Sequence, residues 1–156
     1  MPTPRVAAPS ANPGPLPQLL DPALVPGMQR PEAYPDDPSA AAGIAHVQTH
    51  LSHVFLSGQR VYKLRKPVRF DFVDFGAQAE RGADCLREVA LNRRLAPQVY
   101  LGVAAVRSTP DGVRVDPPSE TLRAEAEHCV VMRRLPDGRD ALTGLERGWL
   151  GAEQLD

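Results

Sequence analysis

Ser52-His-Val-Phe-Leu-Ser-Gly-Gln-Arg-Val-Tyr-Lys63-Leu64 holds two short runs of β-branched, aromatic and aliphatic residues around Ser57-Gly58-Gln59. Such runs favour a pleated, half-buried surface, and a glycine at position 58 can supply the positive φ that a tight hairpin needs. The stretch therefore reads as strand, turn and strand over Val54–Leu56 and Arg60–Leu64. Alternation along the second strand places Val61, Lys63 and Arg65 on one face and Tyr62, Leu64 and Lys66 on the other. Pro67, which has no N–H to give a ladder, ends the pairing.

Working outward, Phe70, Phe72 and Phe75 are expected in a core, because all four phenylalanines fall between positions 55 and 75. Ala77 to Leu95 reads as a helix of good formers that must end before Pro97. Leu91 and Leu95 repeat at i+4, and Ala83, Leu86 and Ala90 form the adjoining stripe, so this side is the expected buried face. Glu88 lies in register with Leu91 and Leu95, on or beside that stripe. A carboxylate buried there needs a cation, and Lys63 across the gap would supply one. The alternative is a border glutamate paired with Arg87, Arg93 or water, and a solvated edge lysine at position 63. Strands are expected over Val99–Arg107, Val113–Val115 and His128–Arg134, with a turn at Pro110-Asp111-Gly112 and weaker strand character over Ala45–Leu51. Ala141 to Leu155 has a helical pattern.

The 156 residues suit one domain. Eleven of the 17 prolines fall in residues 1–40, a density that sustains neither helix nor ladder. Residues 1–27 are accordingly expected to be a disordered Pro-rich arm, apart from a helical turn around Leu16–Leu20, and Met28–Pro38 a turn-like segment docked on the fold. The net charge of −1 offers no field to attract nucleic acid. No apolar run approaches the roughly 18–20 residues that span a bilayer, and Pro interrupts any secretory signal. Cys85 and Cys129 make neither a metal-ligand spacing nor a disulfide framework, which fits a soluble cytoplasmic protein with reduced thiols.

Six blocks together resemble one bacterial family: Arg30-Pro-Glu-Ala-Tyr-Pro35, Thr49-His-Leu-Ser-His-Val-Phe-Leu-Ser-Gly58, Val61-Tyr-Lys-Leu-Arg-Lys-Pro-Val68, Glu88-Val-Ala-Leu-Asn-Arg-Arg-Leu-Ala-Pro97, Val99-Tyr-Leu-Gly-Val103 and Met132-Arg-Arg-Leu-Pro136. They are similar to the start of aminoglycoside phosphotransferase-like proteins, which are often fused to a P-loop ATPase or kinase domain. The resemblance covers roughly residues 28–150, and the Val-Tyr-Lys and Leu-Asn-Arg-Arg-Leu-Ala-Pro blocks are its most specific parts. It implies an α+β fold, the N-lobe of a protein-kinase-like enzyme, with about five mostly antiparallel strands and one long helix. Residues 28–136 would be that lobe, and 137–156 the hinge exit and the start of a C-lobe. It implies nucleotide binding, with Lys63 as the phosphate lysine, Glu88 its helix partner, Val61 over the adenine, and Met132, Arg133 and Arg134 as the hinge. The cofactors it implies are ATP and magnesium, and the partner a C-lobe or a P-loop domain.

The departures are equally informative. No Gly-x-Gly phosphate loop stands between the first strands, so any phosphate contact there falls to Ser52 or to backbone N–H groups. No His-x-Asp loop and no metal-binding Asp follow, and Asp137-Gly-Arg-Asp140 comes too soon after the hinge. Phosphoryl transfer without a base and a Mg²⁺ ligand loses most of its positioning and electrostatic stabilisation. Two functions stay open: part of a transferase, contributing the ATP-covering half without being competent alone, or a non-catalytic interaction module that docks on another chain. Leu135, Leu142, Leu145, Trp149 and Leu150 would then form an apolar patch that drives self-association or partner binding. His46, His50 and His53 are read as ordinary imidazoles and not as a metal site, since i and i+3 on a strand face opposite ways. Arg65, Lys66 and Arg69 are read as a solvated edge, without the aromatic interleaving that stacks bases.

Overall fold

The structure, a computed structural model, describes residues 15–135. It is an α+β fold built on a curled antiparallel sheet. In chain order the elements are α1 (Leu24–Met28), β1 (Ala45–Gln48), β2 (Ser52–Leu56), β3 (Arg60–Arg65), β4 (Arg69–Phe70), β5 (Val73–Asp74), α2 (Gln78–Arg93), β6 (Tyr100–Thr109), β7 (Gly112–Val115) and β8 (Glu127–Arg133). Six strands pair in the order β1-β2-β3-β8-β6-β7, while β4 and β5 make a separate two-stranded ribbon. Every ladder is antiparallel.

The central strands are covered on both faces, which is why Cys129-Val-Val-Met132 is continuously apolar instead of alternating. On one face Val54, Leu56, Val61, Val103, Val130 and Met132 pack under α2, against its Cys85 and Val89. On the other, Phe55, Tyr62, Leu64, Ala104, Val106 and Val131 pack under Leu24, Met28, Ala33 and Tyr34 of the N-terminal segment. Val61 and Tyr62 thus enter different cores, as period-2 alternation in β3 requires.

That second cover corrects the expected arm. Leu24 and Met28 are 2% and 0% exposed, and Gln18 N–H donates to the Gly76 carbonyl at 2.6 Å, so ordered packing begins well before residue 28. Pro26 does not prevent α1, because it lies in the first turn, where its missing N–H breaks no intrahelical bond. Gly27 permits the packing: a Cβ there would stand 2.3 Å from Val113 Cγ2 of β7. Asp37, also buried, accepts from Ser39 N–H at 3.0 Å and from the Tyr62 hydroxyl at 2.9 Å and ties the segment to β3. The expected turn at Leu16–Leu20 carries no helix; Leu16 and Leu19 are exposed.

Two further expectations are overturned. Phe70 and Phe72 lie on the β4–β5 ribbon, exposed and stacked on each other with centroids 5.8 Å apart. The ribbon stands off the main sheet, so only Phe75 and Phe55 of the four phenylalanines reach the core. Helix α2 ends at Arg93, short of the expected Leu95, and is rolled from its expected orientation: Leu91 is 62% exposed and Leu95, past its end, 87%, while Arg81, Gly82, Cys85, Glu88 and Val89 are buried. The buried set follows i, i+4, i+7 and i+8 from Arg81, a good helical stripe that apolarity did not mark.

Among the described residues no helix is long and apolar enough to cross a membrane.

Candidate functional site

Helix α2 lies across β8 and β6, and its buried stripe places Glu88 over the end of β3. The β3 strand directs Lys63 and Arg65, two residues apart, at that carboxylate. Lys63 Nζ stands 2.7 Å from Glu88 Oε2, and Arg65 Nη2 pairs with Glu88 Oε1. Arg65 also reaches along the helix, its Nε donating to Asp84 Oδ2 at 2.9 Å. Asp84 and Glu88 are one turn apart, so the guanidinium fork spans both carboxylates. Phe75 closes the far side with its ring centroid 5.5 Å from Arg65 Cζ.

The electrostatics follow from this geometry. Glu88 is only 9% exposed, and burial by itself raises a carboxyl pKa; the Lys63 and Arg65 charges outweigh that and hold Glu88 at about 2. Burial likewise works against the Arg65 charge, and Glu88 beside it more than compensates, so its pKa is raised. Cys85, beneath the network, is pushed up to about 11 by burial and is a thiol at neutral pH. The two cations bind Glu88 differently. Arg65 makes a directed hydrogen bond to Oε1 and continues to Asp84, whereas Lys63 meets Oε2 alone. At 2.7 Å the Lys63 contact carries strong Coulomb attraction.

The remaining candidates distribute as follows. Val61 sits opposite Met132 and Leu56, and all three belong to the apolar cluster beneath α2. Both Val61 and Met132 are buried, so they form the floor of this face and not its surface. Ser52 pairs with Arg65 across β2–β3 and is buried beside the network. Arg133, next to Met132 in an extended strand, is exposed and donates its N–H to the Val99 carbonyl at 2.7 Å. Arg134 binds the β2–β3 turn, its N–H to the Gln59 carbonyl at 2.8 Å and its Nη1 to the Ser57 carbonyl at 2.9 Å. Leu142, Leu145, Trp149 and Leu150 lie outside the described residues.

The reading of the basic run changes. Arg65 is 5% exposed and belongs to the site, so the basic run is not a solvated edge; Arg69 is taken up by Asp74 at 2.9 Å. Pairing of β1 with β2 sets His46 Nε2 3.1 Å from His53 Nδ1, a contact across strands that spacing along one strand does not show. Burial first, then Lys66 and His46, lowers His53 to about 4. Among the described residues no three His, Cys, Asp or Glu converge as a metal group. Glu88 and Asp84, the carboxylates at the site, are already engaged by Lys63 and Arg65, so these residues do not fit a magnesium centre.

Sequence reasoning also missed Arg81, fully buried and pairing through Nη2 with Glu127 Oε1 at 2.5 Å. The available signal was its spacing from Cys85, Glu88 and Val89 on one helical stripe. Tyr100 was missed as well; half-buried against the α2-side cluster, its phenol is raised by burial and then by the nearby Glu88 charge. A cleft of about 420 Å³ lined by Asp21, Gln78, Arg107 and Arg123 lies elsewhere, and none of the candidate nucleotide-site residues lines it.

The chain is similar to proteins of Mycobacterium bovis and of two strains of Mycobacterium tuberculosis, each called an uncharacterized protein. Each is 43% identical over 90 residues, which is 58% of this chain and 16% of the relative. The match thus spans about a sixth of the relatives' length. No family model matches, and no solved structure matches.

Proposed function

We propose that this chain contributes the nucleotide-covering lobe of a protein-kinase-like phosphotransferase, of the aminoglycoside phosphotransferase type, and does not complete the reaction alone. The observation that carries the reading is the 2.7 Å approach of Lys63 Nζ to Glu88 Oε2, on the sheet face that also bears Val61 and Met132. A lysine rigidly placed on a central strand sets a compact positive charge against nucleotide phosphates, and a helix carboxylate holds it there. In this reading Val61 and Met132 form the buried apolar floor behind the adenine, and Arg133 and Arg134 continue as the connector. The phosphate acceptor, the general base and the magnesium ligands then come from another lobe, because Glu88 and Asp84 are committed to cations here.

An amide NMR titration of the 156-residue chain with a non-hydrolysable ATP analogue and Mg²⁺ tests this. We expect shifts concentrated at Val61, Lys63, Glu88 and Met132, lost in Lys63→Met, with no phosphotransfer above background. Shifts elsewhere only, the same shifts in Lys63→Met, or turnover by the chain alone that Lys63→Met abolishes would each overturn the proposal.

A further inference from the structure

We infer that Arg65, not Lys63, is the residue that keeps Glu88 and helix α2 docked, which leaves the Lys63 charge free to turn to a phosphate-type oxyanion without releasing the helix. The inference deepens the nucleotide reading above and rests on it for the identity of the anion. Its structural half stands without it.

One carboxylate faces two cations here, and their holds differ in kind. Arg65 grips two acidic residues on successive turns of α2, Glu88 through Nη2 and Asp84 through Nε at 2.9 Å. It is 5% exposed, and its planar fork is stacked against Phe75. That geometry fixes the helix both along its axis and in rotation, since a slip of one residue would break both contacts. Lys63 touches only Oε2 and no second acidic residue of α2, and its side chain is more open at 17% exposure. A compact ammonium on a flexible stem, held by one carboxylate oxygen, can turn to another anion at similar distance.

The charge balance favours the same division. When Lys63 turns to an oxyanion, Glu88 keeps Arg65 and is not stranded as a lone buried carboxylate. Without Arg65 the same movement would strand it, and α2 would loosen. Arg65 is therefore a positioning residue whose absence couples anion binding to helix opening.

The test uses hydrogen–deuterium exchange of α2 amides in the full chain, with tripolyphosphate as the probe anion. Without anion, Lys63→Met should leave α2 exchange within about twofold of wild type, whereas Arg65→Gln and Asp84→Asn should each speed it by about tenfold or more. With anion, wild-type α2 exchange should not change, while exchange in Arg65→Gln should rise further. A merely structural arginine would not produce that anion-dependent step. If Arg65→Gln does not fold, Asp84→Asn, whose side chain is 27% exposed, carries the anion-free comparison, which then decides the role of Arg65. Equal loosening by Lys63→Met and Arg65→Gln, or anion-driven loosening of wild type, would overturn the inference. Should tripolyphosphate leave the Lys63 resonances unmoved in every form, the anion reading falls, and the anion-free exchange still decides the role of Arg65.

Discussion

Replacing Glu88 by Gln removes the one carboxylate that faces both Lys63 and Arg65 while keeping its shape. The folded protein holds this group at about 2 against an ordinary 4.5. At about 1.4 kcal/mol per tenfold, that difference stabilises the ionised folded state by about 3 kcal/mol. The figure agrees with the roughly 3–5 kcal/mol typical of breaking a buried ion pair on one side. Because the folded value is depressed, the contribution is complete above pH 4.5 and is lost as pH falls through about 2. Urea unfolding followed by far-UV circular dichroism should therefore place Glu88→Gln about 3 kcal/mol below wild type at pH 7 and the same at pH 6. The gap should narrow below pH 4.5 and nearly close at pH 2. A gap under about 1 kcal/mol at pH 7, or one that persists undiminished to low pH, would refute the reasoning that Glu88 is buried as an anion between two cations.

Two other outcomes test the fold that holds the site. Met28→Ala should cost about 2–5 kcal/mol in thermal or urea unfolding, because Met28 is fully buried in the N-terminal cover; an unchanged midpoint would detach that segment from the core. Gly102→Ala should destabilise by about 1–3 kcal/mol, since Gly102 has φ +144° and a Cβ there would lie 2.6 Å from the Ser119 carbonyl oxygen; a neutral result would mean that the β6 bulge relaxes freely.

The hairpin of β2 and β3 and the sides taken by Val61, Lys63 and Arg65 are legible in the residue pattern, and so is the pairing of Lys63 with Glu88. These rest on local rules: strand alternation has a period of two, and a carboxylate on a helix near a buried stripe needs a cation. The roll of α2 is not legible there. Leu91 and Leu95 are more apolar than Arg81 and Glu88, yet the helix buries the charged pair of positions and exposes the leucines. Composition cannot reveal this, because Arg81 is buried against Glu127, 46 residues away, and the Phe75 and Gly76 carbonyls, and Glu88 against Lys63 and Arg65.

The sequence by itself thus determined the strand faces, the helix and its end before Pro97, and the single lysine on a central strand, all set by contacts within a few residues. Only the tertiary structure decided that Arg65 joins the site, that Phe70 and Phe72 stand outside the core, and that a Pro-rich segment from Gln18 to Ala42 packs on one face of the sheet. Each of these depends on which distant surface is left open to be covered. A buried charge is tolerated wherever a partner meets it, and an apolar side chain remains exposed wherever none does.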